Sequence, residues 1–506
     1  MKRLIYTLFL VLGWQIAPAQ YTYFNQITGE IGDLISESPS NIEVVEDEYV
    51  IWGAGIDDGV LYHFVRKYNL AGEFVDENIL IHENQYVLSG IINSFKWNPY
   101  NERFVYIHGT NLDNGTTEGY LIEFDANLDT TFTKRYSIYP PYTYPFIFEV
   151  ENDGYIVLGE HGYDAANGAG TFIMKLDFNG DILWSEIMQP NVPSFIYRNW
   201  CVLKVSNGYL ISGVVSEGYH PSAIPSGLIT ITDSVGNTIS EIVISDENEL
   251  VSNAIISCEL TSGEILFSQS INYADVEEID NPHIYWSKVR LSKFDTETEE
   301  IYWQQDYHAD YEFIQGGARD FEPTPDGGAI ILGGRLGWFF DAYMWMMKID
   351  ADGNEEWFHE YTYENCNTCY NMLYDIELAP DGGYVAAGYF YNLEVDARTN
   401  PWLLKVDACG DVEWQGCSPV GLAEKKPKAF SVYPNPSSGR FTVASDFNHA
   451  IASWAVYNLA GQRVAQGKTL NNENVEMNLN LPTGLYALEL GLMDGRRENH
   501  KIQILK

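Results

Sequence analysis

The chain has 506 residues, with 71 Asp and Glu against 29 Lys and Arg, and a formal net charge of -42. This acid excess argues against a nucleic-acid-binding protein, which needs a basic surface to displace the counterions of phosphates. It also argues against adsorption to anionic lipid. Hydrophobic residues make up 45% of the chain and aromatic residues 14%, so it has enough apolar material for a large folded core.

The N-terminus predicts a secretory signal peptide over residues 1–19. Lys2 and Arg3 precede an apolar run over residues 4–13, and the letters APA at 17–19 offer a cleavage site. A charged start, a short apolar middle and a small-residue exit are the three parts of such a peptide. A membrane anchor is the alternative, but the run is short for ~30 Å of hydrocarbon. No later apolar run is long enough to predict a membrane span.

A phrase of apolar residues, an Asp or Asn, a turn and often a Trp recurs along the chain. It reads FIMKLDFNGDILW from Phe172, MMKIDADGNEEW from Met346 and LLKVDACGDVEW from Leu403. We number the repeats 1 to 7 by the residue in the Asp position, which recurs at intervals of 52 to 62 residues: Asn69, Asp125, Asp177, Asp233, Asp295, Asp350 and Asp407. The side chain in this position is expected to accept hydrogen bonds from the backbone of its own turn.

A second phrase, a turn followed by aromatic and aliphatic residues, precedes the first one, as in NDGYIVLG from Asn152 and PDGGYVAAG from Pro380. Together the two phrases predict four antiparallel strands per repeat. This period is typical of a propeller blade, so we predict an all-β protein with a seven-bladed β-propeller over residues 20–417. The fourth strand of repeat 7 is expected to end at Cys417. Separate tandem β-domains and a transmembrane barrel are the less favoured alternatives.

The repeats resemble two known patterns. They are similar to the Asp-box of sialidases, but Gly353 and Trp357 are four residues apart instead of three, and the Ser is absent. They resemble more closely the repeats of secreted bacterial propellers of unassigned activity. That resemblance implies an architectural role for the repeated Asp and Trp residues.

The composition changes after Cys417. Residues 418–429 are small, basic and proline-bearing, as in a linker, and only 7 of the 71 acidic residues lie in 421–506. Short alternating segments over 430–506 predict a small Ig-like β-sandwich of about seven strands. An ordinary ligand-binding sandwich is the alternative.

The segment 430–506 also resembles the C-terminal sorting domain, type A, of the type IX secretion system of Bacteroidota. The residues that carry the resemblance include Tyr433, Pro434, Asn435, Pro436, Gly439, Gly461, Gly484, Tyr486 and Lys506. The resemblance implies transit through the periplasm, recognition by the type IX machinery, and a final location at the outer-membrane surface or outside the cell. We expect a monomer.

Aligned first strands place acidic side chains at two equivalent positions. Repeats 6, 7 and 1 there contribute five carboxylates, which in a propeller would face the central channel: Glu43, Asp320, Glu322, Asp375 and Glu377. A divalent cation such as Ca²⁺, or the neighbouring Arg319, could neutralise them. Paired carboxylates could also cleave glycosides. Solvated channel lining with hydrogen bonds between repeats is the third interpretation.

Aromatic residues in the variable loops form a second candidate site. Trp338, Phe339, Phe340 and Trp402 belong to this set, together with Tyr389 and Tyr391. Exposed rings supply contact area at low entropic cost, which suits a glycan or protein ligand. Burial of the same rings within strands is the alternative.

The cysteines offer a weak signal. Six cysteines in an exported chain permit disulfides, and Cys409 and Cys417 are too far apart along an extended strand to bond. Cys417 with Cys366 or Cys369 is the expected pair.

No nucleophile elbow, P-loop or zinc-ligand spacing occurs in the sequence. We therefore predict no catalytic residue and no resident cofactor. The favoured interpretation is an exported propeller that binds a glycan or a surface protein. The alternatives are a secreted hydrolase that uses the channel carboxylates and a structural surface-layer component.

Overall fold

The structure is a computed structural model of the chain. It describes residues 23–28, 35–81, 86–87, 94–112, 115–139, 143–164, 168–188, 195–217, 226–244, 250–251, 256–273, 286–307, 314–336, 342–364, 368–412, 430–433, 437, 439–445, 451–458, 463–472, 474–479, 481–482, 484–492 and 497–504. Within the chain, the contacts define two units, Met1–Val420 and Gly421–Lys506. The described parts are all-β, and the first unit has a propeller-like fold of antiparallel sheets.

A short strand, β1 (Phe24–Ile27), precedes the repeats. Repeats 1, 3 and 4 each form a four-stranded antiparallel sheet in chain order. Their strands are β2 (Ile35–Val45), β3 (Glu48–Asp57), β4 (Val60–Asn69) and β5 (Phe74–Ile81) in repeat 1. Repeat 2 contains β6 (Tyr86–Val87), β7 (Phe95–Asn98), β8 (Arg103–Asn111), β9 (Thr117–Phe124) and β10 (Thr130–Tyr136). Repeats 3 and 4 contain β11 (Thr143–Glu151), β12 (Gly154–Asp164), β13 (Gly168–Leu176), β14 (Ile182–Met188), β15 (Phe195–Val205), β16 (Gly208–Glu217), β17 (Ser226–Asp233) and β18 (Thr238–Ile244).

Repeats 5 to 7 have the same antiparallel order, and single residue pairs between neighbouring repeats join their sheets. Repeat 5 contains β19 (Leu250–Val251), β20 (Ile256–Glu259), β21 (Ile265–Tyr273), β22 (Trp286–Asp295) and β23 (Glu300–Tyr307). Repeat 6 contains β24 (Ile314–Pro323), β25 (Ala329–Leu336), β26 (Ala342–Ile349) and β27 (Glu355–Tyr361). Repeat 7 contains β28 (Cys369–Leu378), β29 (Tyr384–Asn392) and β30 (Asp396–Val406).

The outer strand of the repeat 7 sheet comes from the other end of the unit. β1 pairs antiparallel with β30, in the position that the sequence assigned to a strand ending at Cys417. That prediction is wrong, and residues 413–417 lie outside the described part of the chain. Asn25 fixes the register because its Oδ1 accepts a 2.6 Å hydrogen bond from Trp402 Nε1, and its Nδ2 donates to the carbonyl of Thr362 at 2.9 Å. Repeat 7 is therefore completed by residues distant in sequence.

The predicted hydrogen bonds in the turns are confirmed. Asp177 Oδ1 accepts hydrogen bonds from the amides of Asn179 and Asp181 at 2.9 and 2.8 Å. The turn ends on Gly180, whose φ of 68° is in the left-handed region that favours glycine. Tyr136 of repeat 2 donates its hydroxyl to the Gly180 carbonyl at 2.8 Å, so the turn of one repeat also receives the outer strand of the preceding one.

The same contact between neighbouring repeats recurs along the outer strands. The hydroxyls of Tyr307 and Tyr361 donate to the carbonyls of Gly353 and Gly410 in the repeat that follows. In β1, Gln26 Nε2 donates a 2.5 Å hydrogen bond to the carbonyl of Gly72 in repeat 1. A side chain of β1 thus makes the corresponding contact from repeat 7 to repeat 1.

Apolar clusters fill the space between neighbouring sheets. One cluster contains Val105 and Ile107 of repeat 2 with Phe148 and Val157 of repeat 3. Another joins repeat 1 to repeat 7, and its members include Ile42, Ile51, Phe64, Val385 and Leu403. Each fully buried side chain of this size contributes about 1.5–3 kcal/mol. Most of the core therefore lies between repeats.

The second unit has two sheets, ordered β31-β32-β35 and β34-β33-β36-β37. The strands are β31 (Phe430–Tyr433), β32 (Arg440–Ser445), β33 (Ile451–Tyr457), β34 (Arg463–Asn472), β35 (Asn474–Asn478), β36 (Gly484–Leu492) and β37 (Arg497–Ile504). Both sheets contribute to one apolar core, which contains Phe441 and Val443 of the first sheet and Val456, Leu488 and Ile502 of the second.

Candidate functional site at the first strands

The first strands of repeats 6 and 7 are bent at equivalent positions. The pairing register shifts just before Asp320 in β24 and just before Asp375 in β28. Such a β-bulge inserts one residue and re-aims its side chain. The inserted residues are Arg319 and Tyr374, which the sequence analysis did not select as a binding pair.

Asp320 and Asp375 connect neighbouring first strands. The amide of Ile376 in repeat 7 donates to Asp320 Oδ2 at 3.0 Å, and the amide of Ile42 in repeat 1 donates to Asp375 Oδ2 at 2.8 Å. Both carboxylates are buried. The interpretation as hydrogen bonds between repeats is therefore confirmed for these two residues.

The three glutamates are half-buried, and neighbouring carboxylates contribute to their pKa values. Burial raises the pKa of Glu43 and of Glu322 to about 8, and the Asp375 carboxylate adds to this increase while the Lys96 ammonium opposes it. Burial also raises the pKa of Glu377, with the carboxylates of Glu322 and Glu43 as further causes. Burial is also the main cause of the raised pKa values of Asp320 and Asp375. We call these five residues the carboxylate cluster.

A cation that lowers the pKa values of members of the carboxylate cluster was missed by the sequence analysis. Lys96 of β7 donates to Glu149 Oε1 of β11 at 2.6 Å. Burial lowers the pKa of Lys96, but the Glu149 carboxylate holds it above its usual range. Lys96 lies between the two aligned positions of repeat 2, so an alignment that also considered the residue between them could have found it. Arg319 does not have this neutralising role.

The positions of the described acidic side chains do not indicate a site for a bound cation. Among the described residues, no group of three or more His, Cys, Asp or Glu side chains is placed to hold a metal ion. Hydrogen bonds to backbone amides occupy oxygen atoms of Asp320 and Asp375. The other three members of the carboxylate cluster, Glu43, Glu322 and Glu377, could exchange protons or bind a polar group.

The predicted loop aromatics have different outcomes. Trp338, Phe339 and Phe340 lie outside the described residues. Trp402 is 0% exposed, because β30 begins well before it and its indole donates to Asn25. The expectation of an exposed Trp402 ring is therefore wrong.

Four tyrosines of repeat 7 are half-buried and lie side by side on β28 and β29. The rings of Tyr370 and Tyr391 stack with centroids 4.5 Å apart and an interplanar angle of 8°. Tyr389 lies 6.1 Å from Tyr391, and its hydroxyl accepts a 3.4 Å hydrogen bond from Tyr374. Burial raises the pKa of Tyr391 to about 12, so its hydroxyl stays protonated at neutral pH. We call these residues the tyrosine cluster.

Arg319 extends from its bulge toward the tyrosine cluster. Its guanidinium carbon is 5.3 Å from the centroid of the Tyr374 ring, within the range of a cation–π contact. Gly334 of β25 leaves room for this position, since a Cβ there would lie 3.2 Å from Arg319 Nε. Burial lowers the pKa of Arg319, and the phenol groups of Tyr374 and Tyr389 oppose this effect.

The cysteines divide into two groups. Cys201 and Cys258 are buried free thiols of the first strands, and Cys201 Sγ donates to the carbonyl of Ser257 at 3.1 Å. Cys369 and Cys409 are disulfide-bonded. A disulfide at Cys409 was not expected from the sequence; Cys366 and Cys417 lie outside the described residues.

Comparison with protein families identifies the second unit. Residues 431–504 match the family described as the secretion system C-terminal sorting domain. The chain carries a sorting domain. Such a domain implies export and a cell-surface or secreted location, and interaction with the type IX secretion machinery.

Two residues of the sorting domain that the sequence singled out have defined structural roles. Gly439 has a φ of 100°, and its carbonyl accepts a 2.8 Å hydrogen bond from the Leu479 amide. Tyr486 is buried and donates its hydroxyl to the Pro482 carbonyl at 2.9 Å. Tyr433 ends β31 and Gly484 begins β36. Pro434, Asn435, Pro436, Gly461 and Lys506 lie outside the described residues.

Solved structures resemble the propeller-like unit in fold alone. The β-propeller domain of the Trilobed protease from Pyrococcus furiosus is 9% identical, with 74% of this chain and 99% of that chain covered and a TM-score of 0.41. The acylaminoacyl peptidase of Pyrococcus horikoshii is 9% identical, with 82% and 59% covered and a TM-score of 0.38. The α-L-arabinofuranosidase Arb93A of Fusarium graminearum is 8% identical, with 64% and 98% covered and a TM-score of 0.35.

No curated protein sequence is significantly similar to this chain. The described residues contain no helix with the length and hydropathy needed to cross a bilayer.

Proposed function

We propose that this chain is an exported binding protein that presents a seven-bladed β-propeller at the cell surface or in the medium. In this proposal residues 1–19 are a removable signal peptide, 20–417 the propeller, 418–429 a linker, and 430–506 an Ig-like sandwich recognised by the type IX machinery after transit through the periplasm. The ligand is a glycan or a surface protein, bound by a monomer.

Contacts between repeats support a closed ring. Hydrogen bonds connect repeat 6 to repeat 7 through Asp320, and repeat 7 to repeat 1 through Asp375. Lys96 and Glu149 connect repeats 2 and 3, and Cys201 connects repeats 4 and 5. A linear stack of sheets would leave repeats 1 and 7 without a common core, whereas one apolar cluster contains residues of both.

The tyrosine cluster carries the proposed binding function. Tyr370, Tyr374, Tyr389 and Tyr391 keep part of their surface accessible although they lie within a sheet. Stacked rings with hydroxyl groups provide both an apolar contact and hydrogen bonds at low entropic cost. A ligand at this position would account for four rings that stay partly accessible within one sheet.

The test is a glycan and surface-protein binding screen with the full chain, with and without calcium. Tyr391→Ala should abolish binding of any ligand that the screen identifies. Tyr302→Ala is the matched control, because Tyr302 is an exposed tyrosine of β23 in repeat 5. A ligand that binds equally to both variants would exclude the tyrosine cluster as the binding site.

A secreted hydrolase is the second candidate, and the raised pKa of Glu322 favours it. A carboxyl group that titrates at about 8 is protonated at neutral pH and could act as a general acid. Glu377 would then be the partner, and it would have to act in its ionised form, at a pH above its own raised pKa. Loss of glycan turnover in both Glu322→Gln and Glu377→Gln, with binding retained, would support a hydrolase over a binding protein.

A further inference from the structure

Arg319 is a half-buried basic residue that has no acidic partner among the described residues. Lys67, Lys175, Lys348 and Lys405 each form an ion pair with an Asp or Glu. Within the described part of the chain, no carboxylate forms an ion pair with Arg319. This is unexpected in a chain with 71 acidic residues, because a guanidinium withdrawn from water normally has a counterion.

Several described residues hold the side chain of Arg319 in place. The bulge in β24 aims its side chain, Gly334 leaves space along it, and the Tyr374 ring lies against its guanidinium. The hydroxyl of Tyr374 donates a hydrogen bond to the hydroxyl of Tyr389, so two hydroxyl groups lie together in the tyrosine cluster. Among the described residues, no acceptor takes a hydrogen bond from the guanidinium, which lies beside the tyrosine cluster.

We propose that Arg319 and the tyrosine cluster bind a carboxylated sugar. This inference rests on the proposed binding function and names the ligand class for the same site. One guanidinium matches one planar carboxylate through two parallel hydrogen bonds. The tyrosine rings provide the contact for the sugar ring.

A carboxylate fits this site better than a phosphate. A phosphate group carries up to two negative charges and is usually bound by several cations or by a backbone loop. Among the described side chains, Arg319 is the one cation in contact with the tyrosine cluster, and one guanidinium balances one negative charge. A singly charged sugar therefore matches the charge of Arg319.

The test measures the affinity of the full chain by calorimetry for two carboxylated probes, tetragalacturonate and 3′-sialyllactose. These probes distinguish a hexuronate from a sialic acid. The methyl ester of tetragalacturonate and lactose, which lacks the sialic acid of 3′-sialyllactose, are the uncharged ligand controls. We expect at least one carboxylated probe to bind and its uncharged counterpart to bind about 10- to 100-fold more weakly, as for loss of a charged hydrogen-bonding pair.

Arg319→Gln should weaken binding of the carboxylated probe by a similar factor, and Arg319→Lys by less, because Lys keeps the charge without the planar fork. Arg103→Gln is the matched control, since Arg103 is a half-buried arginine whose guanidinium donates to a backbone carbonyl. Thermal unfolding of each variant checks the fold. Failure of both carboxylated probes to bind, or equal affinity of the wild type and Arg319→Gln, would overturn the proposal. Binding of a neutral glycan that depends on Tyr391 and not on Arg319 would retain the proposed function alone.

Discussion

The amide of Ile42 in repeat 1 donates a 2.8 Å hydrogen bond to the carboxylate of Asp375 in repeat 7. The two residues are 333 positions apart in sequence, and both are buried. The bond therefore joins the two ends of the repeat array at the first strands. It lies close to carboxylates with raised pKa values, so it links the stability of the unit to the chemistry of the candidate site.

Asp375→Ala should lower the free energy of unfolding by about 1–3 kcal/mol, because it leaves the Ile42 amide buried without an acceptor. Asp375→Asn should be milder, since an amide oxygen can still accept the bond. Chemical denaturation of the full chain measures both values. Equal stabilities of the two variants would show that the hydrogen bond contributes little.

Gly353→Ala should be more destabilising than Gly59→Ala. The two glycines have φ values of 83° and 82°, so both substitutions have the same backbone cost of about 1–2 kcal/mol. A Cβ on Gly353 would lie 1.9 Å from the Trp303 ring, whereas a Cβ on Gly59 has nothing within 4 Å. The difference in unfolding free energy between the two variants, about 1–3 kcal/mol, measures the cost of the steric clash between repeats 5 and 6. A difference near zero would mean that Trp303 moves aside freely.

Stability should fall as the pH rises from the ordinary carboxyl range to about 8. A carboxyl whose pKa is higher in the folded than in the unfolded state binds more protons when folded, so its contribution is complete at low pH and is lost through the folded pKa. Glu43 and Glu322 are such groups, both with pKa values raised to about 8. Glu322→Gln should make the decline of the melting temperature between pH 5 and 9 shallower.

Glu186→Gln serves as the control for this pH series, because Glu186 is exposed on β14. It should leave the pH dependence of the wild type unchanged. A Glu322→Gln profile parallel to that of the wild type would contradict the assignment of a raised pKa to Glu322.

Asn25→Leu should loosen the attachment of β1 to β30. It removes the acceptor of the Trp402 indole and the donor to the Thr362 carbonyl, which together should reduce stability by about 1–3 kcal/mol. Hydrogen exchange of the amides in residues 402–406 should accelerate. Asn207→Ala, in the exposed turn before β16, is the control. Unchanged protection of residues 402–406 would mean that the backbone pairing alone holds β1.

The parts of the fold that are repeated could be predicted from the sequence. The Asp and Gly residues of each turn act locally, as at Asp177 and Gly180, so one copy suffices to indicate the geometry. The position of the carboxylate cluster followed from alignment, because equivalent residues of a repeat occupy equivalent positions in space. Lys96 was missed because it occurs in one repeat only.

Non-local features could not be predicted in this way. β1 has four residues, which are too few to show a period, and its partner Trp402 is 377 residues away from Asn25. Trp402 was assigned to a loop because the start of β30 has no clear signal. The site of Arg319 and Tyr374 depends on two β-bulges, and a bulge changes the direction of a side chain without a distinctive residue pattern.

The position of β1 also determines the order in which the first unit can fold. Because β1 precedes every repeat and β30 follows nearly all of them, the sheet of repeat 7 is incomplete until residues near Val406 are free to meet Phe24. Contacts between segments so distant along the chain form slowly, since the long intervening loop must first be ordered. Synthesis or export that stops before residue 396 would leave β1 without its partner strand, and we expect the pairing of the two ends to be the last step in assembly of the unit.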